Sequence, residues 1–191
     1  MKIQKGEPGY IKAQKTKLLI WTVAEFGIVI ALVVLGYIQT GSKLNLLTLV
    51  AILGCLPAAK MLVEFIAIAP HKSIDPDKYK EIMEKAPLVT KVCDTIITGN
   101  DKIMPVEMFV ISGHTVFGYT SSPKTDEVKT ARYLKEMFHN NHIDKVTVKV
   151  LHDYKAFLAR AEGMNNIMTI DQPDNRKKER KIRQLILTTS M

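Results

Sequence analysis

Two long apolar runs dominate the hydropathy pattern of this chain, and the remainder alternates between strand and helix periods. The first run, Leu18 to Ile38 (LLIWTVAEFGIVIALVVLGYI), contains one charge, Glu25. The second, Leu44 to Pro70, holds Asn45 and Thr48 near its start and Lys60 and Glu64 toward its end. A helix rises about 1.5 Å per residue, so roughly 20 apolar residues cross a hydrocarbon core and each run is long enough. Gly54 and Pro57 suit a membrane helix, where neighbours satisfy the freed carbonyls, and they predict a kink near Ala59. The first run is longer than a secretory signal core and no small-x-small cleavage site comes after it, so it reads as a retained span. Trp21 and Tyr37 lie near its ends, where amphipathic rings favour the headgroup layer.

Beyond Pro70 the pattern is that of a folded domain. Asp75-Pro76 is a helix start, with Asp at the cap and Pro at the first helical position, and the helix should turn Tyr79, Ile82 and Met83 inward and stop at Pro87. Val89 to Thr98 reads as a strand, Gly99-Asn100-Asp101 as a turn and Ile103 to Ile111 as a second strand. Pro105 predicts an edge position or a bulge there. Ser112-Gly113-His114 turns the chain into a third strand, Thr115 to Thr120. A helix comes next, with Asp126 and Glu127 in its first turn and Val128, Ala131, Leu134 and Phe138 on its apolar face. Lys145 to Leu151 alternates cleanly, with Val146, Val148 and Val150 on one side. Asp153 caps a last compact helix, and Gly163 predicts its stop.

The expected fold is thus a membrane protein: a two-helix transmembrane hairpin followed by a small cytoplasmic α+β domain ordered helix, three strands, helix, strand, helix. Residues 1–17 form a basic leader, 18–70 the hairpin (spans 18–38 and 44–70), 71–170 the domain, and 171–191 a basic tail with helical character. Its RKKERKIR run, followed by Leu185, Ile186 and Leu187, fits either a helix on the membrane surface or one packed on the sheet.

Charge sets the orientation. Lys2, Lys5, Lys12, Lys15 and Lys17 precede the first span, only Lys43 lies in the link, and Lys72, Lys78, Lys80 and Lys85 come after the second. The positive-inside rule places both termini in the cytoplasm, and the cell (inner) membrane is the expected location. The net charge of +8 then faces anionic headgroups, at about 1 kcal/mol per Lys or Arg, rather than nucleic acid. Cys55 and Cys93 fall in different compartments of the fold, one of them reducing, so no disulfide is expected.

Two constellations are candidates for chemistry. In the spans, Glu25, Lys60 and Glu64 lie at depths of about 11, 14 and 8 Å from the cytoplasmic ends, one layer of the inner leaflet. Each costs at least ~2.5 kcal/mol in hydrocarbon, so Glu25 is expected to clasp Lys60 across the hairpin. Transport through such charges requires several copies, because two helices cannot enclose an ion path. In the domain, Asp94 and Glu107 on successive strands are similar to the PD-(D/E)xK nuclease core. In that family an Asp and a Glu hold Mg²⁺ or Mn²⁺ and a Lys two residues after the Glu assists the attacking water. Here that residue is Phe109, and Lys129 or Lys149 would have to substitute. Outside that alternative no cofactor is expected. His139 and His142 have no Cys or carboxylate at zinc-ligand spacing and read as helix-end residues, and His71, His114 and His152 stand singly.

The run LLTLVAILGCLPAAK (Leu46 to Lys60), with FGYTSS (Phe117 to Ser122) in the domain beyond it, resembles a family of uncharacterised two-span membrane proteins of Gram-positive bacteria. The basic leader, paired spans and length agree across nearly the whole chain. The resemblance implies no activity. Some members carry the label "O-linked GlcNAc transferase-like", but no nucleotide-sugar domain fits in about 120 residues and no helical repeat is present. The expected function is non-enzymatic: an anchored α+β interaction domain with a protein partner, lipid contacts and room for self-association. A membrane-tethered, degenerate nuclease-like domain is the alternative, and an oligomeric transport or channel subunit the third reading.

Overall fold

The computed structural model describes residues 3–42, 45–99, 102–170 and 176–191. Lys2, Lys43, Leu44, the Asn100-Asp101 turn and the start of the polar tail (171–175) lie outside the described residues. The chain divides into two units, one of residues 11–71 and one formed by residues 1–10 together with 72–191.

The first unit is a pair of apolar helices, α1 (Tyr10–Thr40) and α2 (Leu46–Ile68). Helix α1 begins eight residues before the expected span, and α2 runs through Pro57. Their contact faces follow heptad-like spacing. Leu18, Thr22 and Gly36 are buried on α1, and Ala51, Ala58 and Ile68 on α2. Small residues bring the backbones close: a Cβ on Gly54 would sit 3.3 Å from Val29, and one on Gly36 would strike the Asn45 amide at 2.6 Å. Asn45 closes the turn end. Its Oδ1 caps α2 by accepting from Thr48 N at 2.8 Å, while its Nδ2 donates to Thr40 Oγ1 at 3.1 Å. Lys15 closes the other end, donating to Ala69 O at 2.6 Å and to His71 O, and so satisfies carbonyls that α2 leaves open.

The second unit is a four-stranded sheet between two pairs of helices. Its strands are β1 (Thr90–Gly99), β2 (Lys102–Ser112), β3 (Thr115–Tyr119) and β4 (Thr147–Leu151), in the spatial order β1-β2-β3-β4. The first two pairings are antiparallel and the third parallel. One face packs on α4 (Glu127–Asn140) and α6 (Arg176–Thr189) through Leu134, Phe138, Ile182 and Ile186. The other packs on α3 (Pro76–Lys85) and α5 (Tyr154–Ile170) through Ile82, Phe157, Leu158 and Ala161.

The predicted caps form. Asp75 accepts from Asp77 N at 2.9 Å with Pro76 behind it, and Asp126 accepts from both Val128 N and Lys129 N at 3.0 Å. Pro105 lies on β2, an interior strand, and not at the expected edge of the sheet. The position is tolerated because it lies beyond the stretch Met108–Ser112 that pairs with β3, and its carbonyl accepts from Thr120 Oγ1 at 2.8 Å and Thr125 Oγ1 at 3.3 Å. Two further details differ from expectation. Gly163 does not stop α5, which continues to Ile170, because the glycine faces open space where a helix tolerates it. Met83 and Val128 are exposed, while Thr130 and Met137 join the buried face of α4. Helix α6 lies on the sheet, which decides between the two readings of the tail: Ile182 and Ile186 are fully buried, and Glu179 accepts from Thr90 Oγ1 at 2.7 Å and Gly113 N at 2.8 Å.

The leader also behaves differently from a loose arm. Gly6 is buried at φ +90°, its carbonyl accepts from Cys93 N at 2.8 Å, and a Cβ there would meet Leu187 Cδ2 at 2.8 Å. Lys5 donates to Ser190 O. From the other flank Ser190 bridges to Ile97 and Met191 N donates to Ile96 O at 2.9 Å. Segments from before the helical pair and from after α6 therefore line the outer edge of β1 together.

Candidate functional site

Asp94 and Glu107 occupy opposed positions on β1 and β2, between the pairs Cys93↔Met108 and Thr95↔Val106. Asp94 has φ +53°, a left-handed conformation that interrupts the ladder at this point. Both side chains are buried, and the described oxygens have structural tasks. Asp94 Oδ1 accepts from Ile74 N at 2.9 Å, holding the segment before α3. Glu107 Oε1 accepts from Ser121 N at 3.1 Å and from Ser121 Oγ, holding the loop after β3. Phe109 is fully buried in the core on the α4 and α6 side. Lys129 is exposed and pairs with Asp126 at 3.5 Å, and Lys149 lies two strands away on β4, about 10 Å at ~4.8 Å per strand. Among the described residues no three His, Cys, Asp or Glu side chains converge as a metal would need. The two carboxylates, each already accepting from a main-chain N–H, do not fit a two-carboxylate metal centre with its lysine.

The lysine that shares the field of Glu107 is Lys78 of α3, which no motif singles out beyond its place in a helix. Its ammonium donates to Tyr119 Oη at 2.8 Å and lies 4.9 and 5.0 Å from the centres of the Tyr119 and Tyr154 rings. The hydrogen bond to Tyr119 raises its pKa above the ordinary lysine value, with Glu107 and Asp75 adding to this against partial burial. Tyr119 packs edge-on against Tyr154 at 5.4 Å and beside Phe157 at 5.7 Å. Tyr154 Oη lies 2.8 Å from Glu81 Oε2 and 3.1 Å from Lys78 O. Burial, then Glu81, pushes the Tyr154 phenol up, while that phenol and Lys85 pull the Glu81 carboxyl down. A lysine held charged is no base or nucleophile at neutral pH. The cluster ties α3, β3 and α5 together and supplies no reactive group.

Cys93 is equally quiet. Burial, with Asp94 beside it, pushes its thiol up to about 12. His139 sits at the end of α4, 2.6 Å from Asp144, as the helix-end reading required, and His114 Nε2 lies 3.2 Å from Lys178 Nζ. His152 faces two carbonyls, Thr120 O at 3.0 Å from Nδ1 and Thr125 O at 2.9 Å from Nε2.

In the helical pair, Glu25, Lys60 and Glu64 do not assemble as expected. Among the described residues no ion pair joins Glu25 to Lys60. Glu25 is half-buried with its Oε2 enclosed and without a hydrogen-bond partner, as is Oγ1 of Thr22 one turn before it. Lys60 is exposed, because two residues past the buried Ala58 turn it about 200° around the helix. Glu64 is half-buried. Similar depth is what the sequence predicts; in the structure one carboxylate oxygen of Glu25 is enclosed while Lys60 is exposed.

No protein-family model, curated protein or solved structure matches the chain.

Proposed function

We propose that the chain is an inner-membrane protein whose helical pair spans the bilayer twice and anchors an α+β interaction domain in the cytoplasm. The observation that carries this reading is the docking of the leader. Gly6, before α1, is built into the same unit as β1 and α6, after α2, through Cys93, Val92 and Leu187. That shared unit supports a placement of both flanks on one side of a bilayer, which two passes require and one pass does not allow. The helices support it: both are long and apolar, and residues such as Leu56, 70 % exposed, and Val23, 65 % exposed, turn outward where water would be costly. The lysines beside both flanks favour the cytoplasm as the shared side. The quiet chemistry of Lys78, Tyr154 and Cys93 favours binding over catalysis.

Labelling of introduced cysteines in intact cells, on a background lacking Cys55, tests this. With a membrane-impermeant maleimide, Ser42→Cys should react at once, whereas Gln4→Cys and Lys124→Cys should react only after permeabilisation. Opposite behaviour of Gln4→Cys and Lys124→Cys, or protection of Ser42→Cys, would defeat the two-pass reading.

A further inference from the structure

The two edges of the sheet are treated differently by the chain. The outer edge of β1 is filled by the chain's own flanking segments, through Gly6 O, Ser190 and Met191 N. The outer edge of β4 has no such cover among the described residues. Thr147 N donates to His114 O at 2.8 Å and Leu151 O accepts from Thr120 N at 3.1 Å, both toward the β3 side. By the alternation of a parallel ladder, Thr147, Lys149 and Leu151 turn their main-chain groups to β3, and Val148 and Val150 turn theirs outward. Such a row is a template for another strand.

Helix α4 extends over the place where that strand would lie. The residues seated on the sheet are Thr130, Leu134, Met137 and Phe138. A neighbouring stripe, Val128, Ala131, Arg132 and Lys135, follows i, i+3, i+4, i+7 spacing and with β4 lines an open groove of about 440 Å³. Val128 is 67 % exposed there, an apolar side chain that the fold itself does not cover. The charges on the groove are Arg132, Lys135 and Lys149 against one acid, Glu127, whose Oε1 already accepts from His152 N at 2.6 Å.

We propose that the β4 edge and the overhanging stripe of α4 form a docking groove for an extended acidic segment of a partner protein, which pairs with Val148 and Val150 as a fifth strand. This deepens the interaction-domain reading and rests on it. A second copy of the chain is disfavoured, because edge-to-edge pairing would set Arg132, Lys135 and Lys149 of one copy against the same cations of the other. Phosphate-rich partners, nucleic acid or lipid, satisfy the cations and the outward N–H groups but bring no row of donors at strand spacing for the carbonyls of Val148 and Val150. A peptide strand satisfies both. Its side chains alternate, apolar ones under α4 against Val128 and Ala131, acidic ones toward Lys149.

The test uses the full chain in a neutral detergent and a fluorescein-labelled peptide of alternating Glu and Val, seven residues long, read by anisotropy. Saturable binding is expected, weakened about tenfold or more by Arg132→Glu/Lys149→Glu. A peptide of the same sequence, N-methylated at alternate residues, should bind about tenfold more weakly although its charge is unchanged. Continued protection of the Cys93 thiol shows that the variant is folded. Absence of saturable binding overturns the proposal and leaves Lys149 as a residue that only keeps the edge from pairing. Indifference to N-methylation, or tighter binding of an oligonucleotide or of anionic-lipid vesicles to the same residues, overturns it too. Failure here with the cysteine labelling as expected removes the peptide groove alone; failure of the labelling removes the two-pass anchor, whatever the peptide does.

Discussion

Replacing Glu179 by Ala is the most informative single change in the domain. Its carboxylate is buried under α6 and accepts from Gly113 N at 2.8 Å, in the turn between β2 and β3, and from Thr90 Oγ1 at 2.7 Å, at the start of β1. Hydrogen bonds to a charged group contribute about 1.5–3 kcal/mol each, and a buried N–H left without an acceptor costs about 1–3 kcal/mol. Removing the carboxylate also removes its own desolvation cost, which offsets part of the loss. The net for Glu179→Ala is a destabilisation of about 2 kcal/mol. Glu179→Gln keeps an oxygen for Gly113 N and an amide for Thr90 Oγ1, so about 1 kcal/mol is expected. For a unit of this size ~1 kcal/mol moves the midpoint by about 4 °C. The Ala variant should therefore melt about 8 °C below the native chain and the Gln variant about 4 °C below it. Cys93, 1 % exposed, is a built-in reporter: in a Cys55→Ala background a thiol-reactive dye responds only when β1 opens. An Ala variant melting within about 2 °C of the parent would refute the reasoning, as would a Gln variant as damaged as Ala.

Three further outcomes rest on the same structure. Gly6→Val forces a β-branched residue into φ +90° against Leu187, and should release residues 3–9 so that trypsin cuts after Lys5 at least tenfold faster; unchanged cleavage would mean that the leader is not docked. Because the folded Cys93 thiol is pushed up to about 12 from an ordinary 9.0, the unfolded chain loses its proton first, so stability should fall as pH rises above about 9, by at most ~1.4 kcal/mol per unit. Cys93→Ala should flatten that slope, and equal slopes in both proteins would refute the assignment. Finally, Glu25→Leu and Lys60→Met should act independently on membrane accumulation, since among the described residues no ion pair joins the two; a double variant accumulating better than either single one on quantitative blots would restore the clasp.

What the sequence shows well is whatever leaves a local signature. The valines of β4 alternate, Asp75-Pro76 and Asp126 cap their helices, and the two apolar runs are long and nearly uncharged. What it hides depends on partners distant along the chain. Position along an apolar run can be counted, but that Lys60 lies off the buried face of α2 emerges only once Ala51 and Ala58 define that face. The Lys78, Tyr119 and Tyr154 cluster draws on three elements, none with a motif of its own. Docking of the leader runs through the carbonyl of Gly6, and a main-chain hydrogen bond has no hydropathy. Val128 fits the helical period of the core face, although the sheet ends before it arrives.

The pairing of Ser190 and Met191 with Ile97 and Ile96 has a consequence for how the protein is made. A ribosome delivers the chain from the N-terminus, so the apolar helices and all four strands emerge before the two residues that finish the β1 edge. The first strand of the sheet is thus completed after the fourth. Until Ser190 and Met191 arrive, that edge has, among the described residues, the leader at Gly6 as its main-chain partner. Closure of the domain is therefore a late event: the sheet gains these hydrogen bonds at the β1 edge only after every strand has been synthesised.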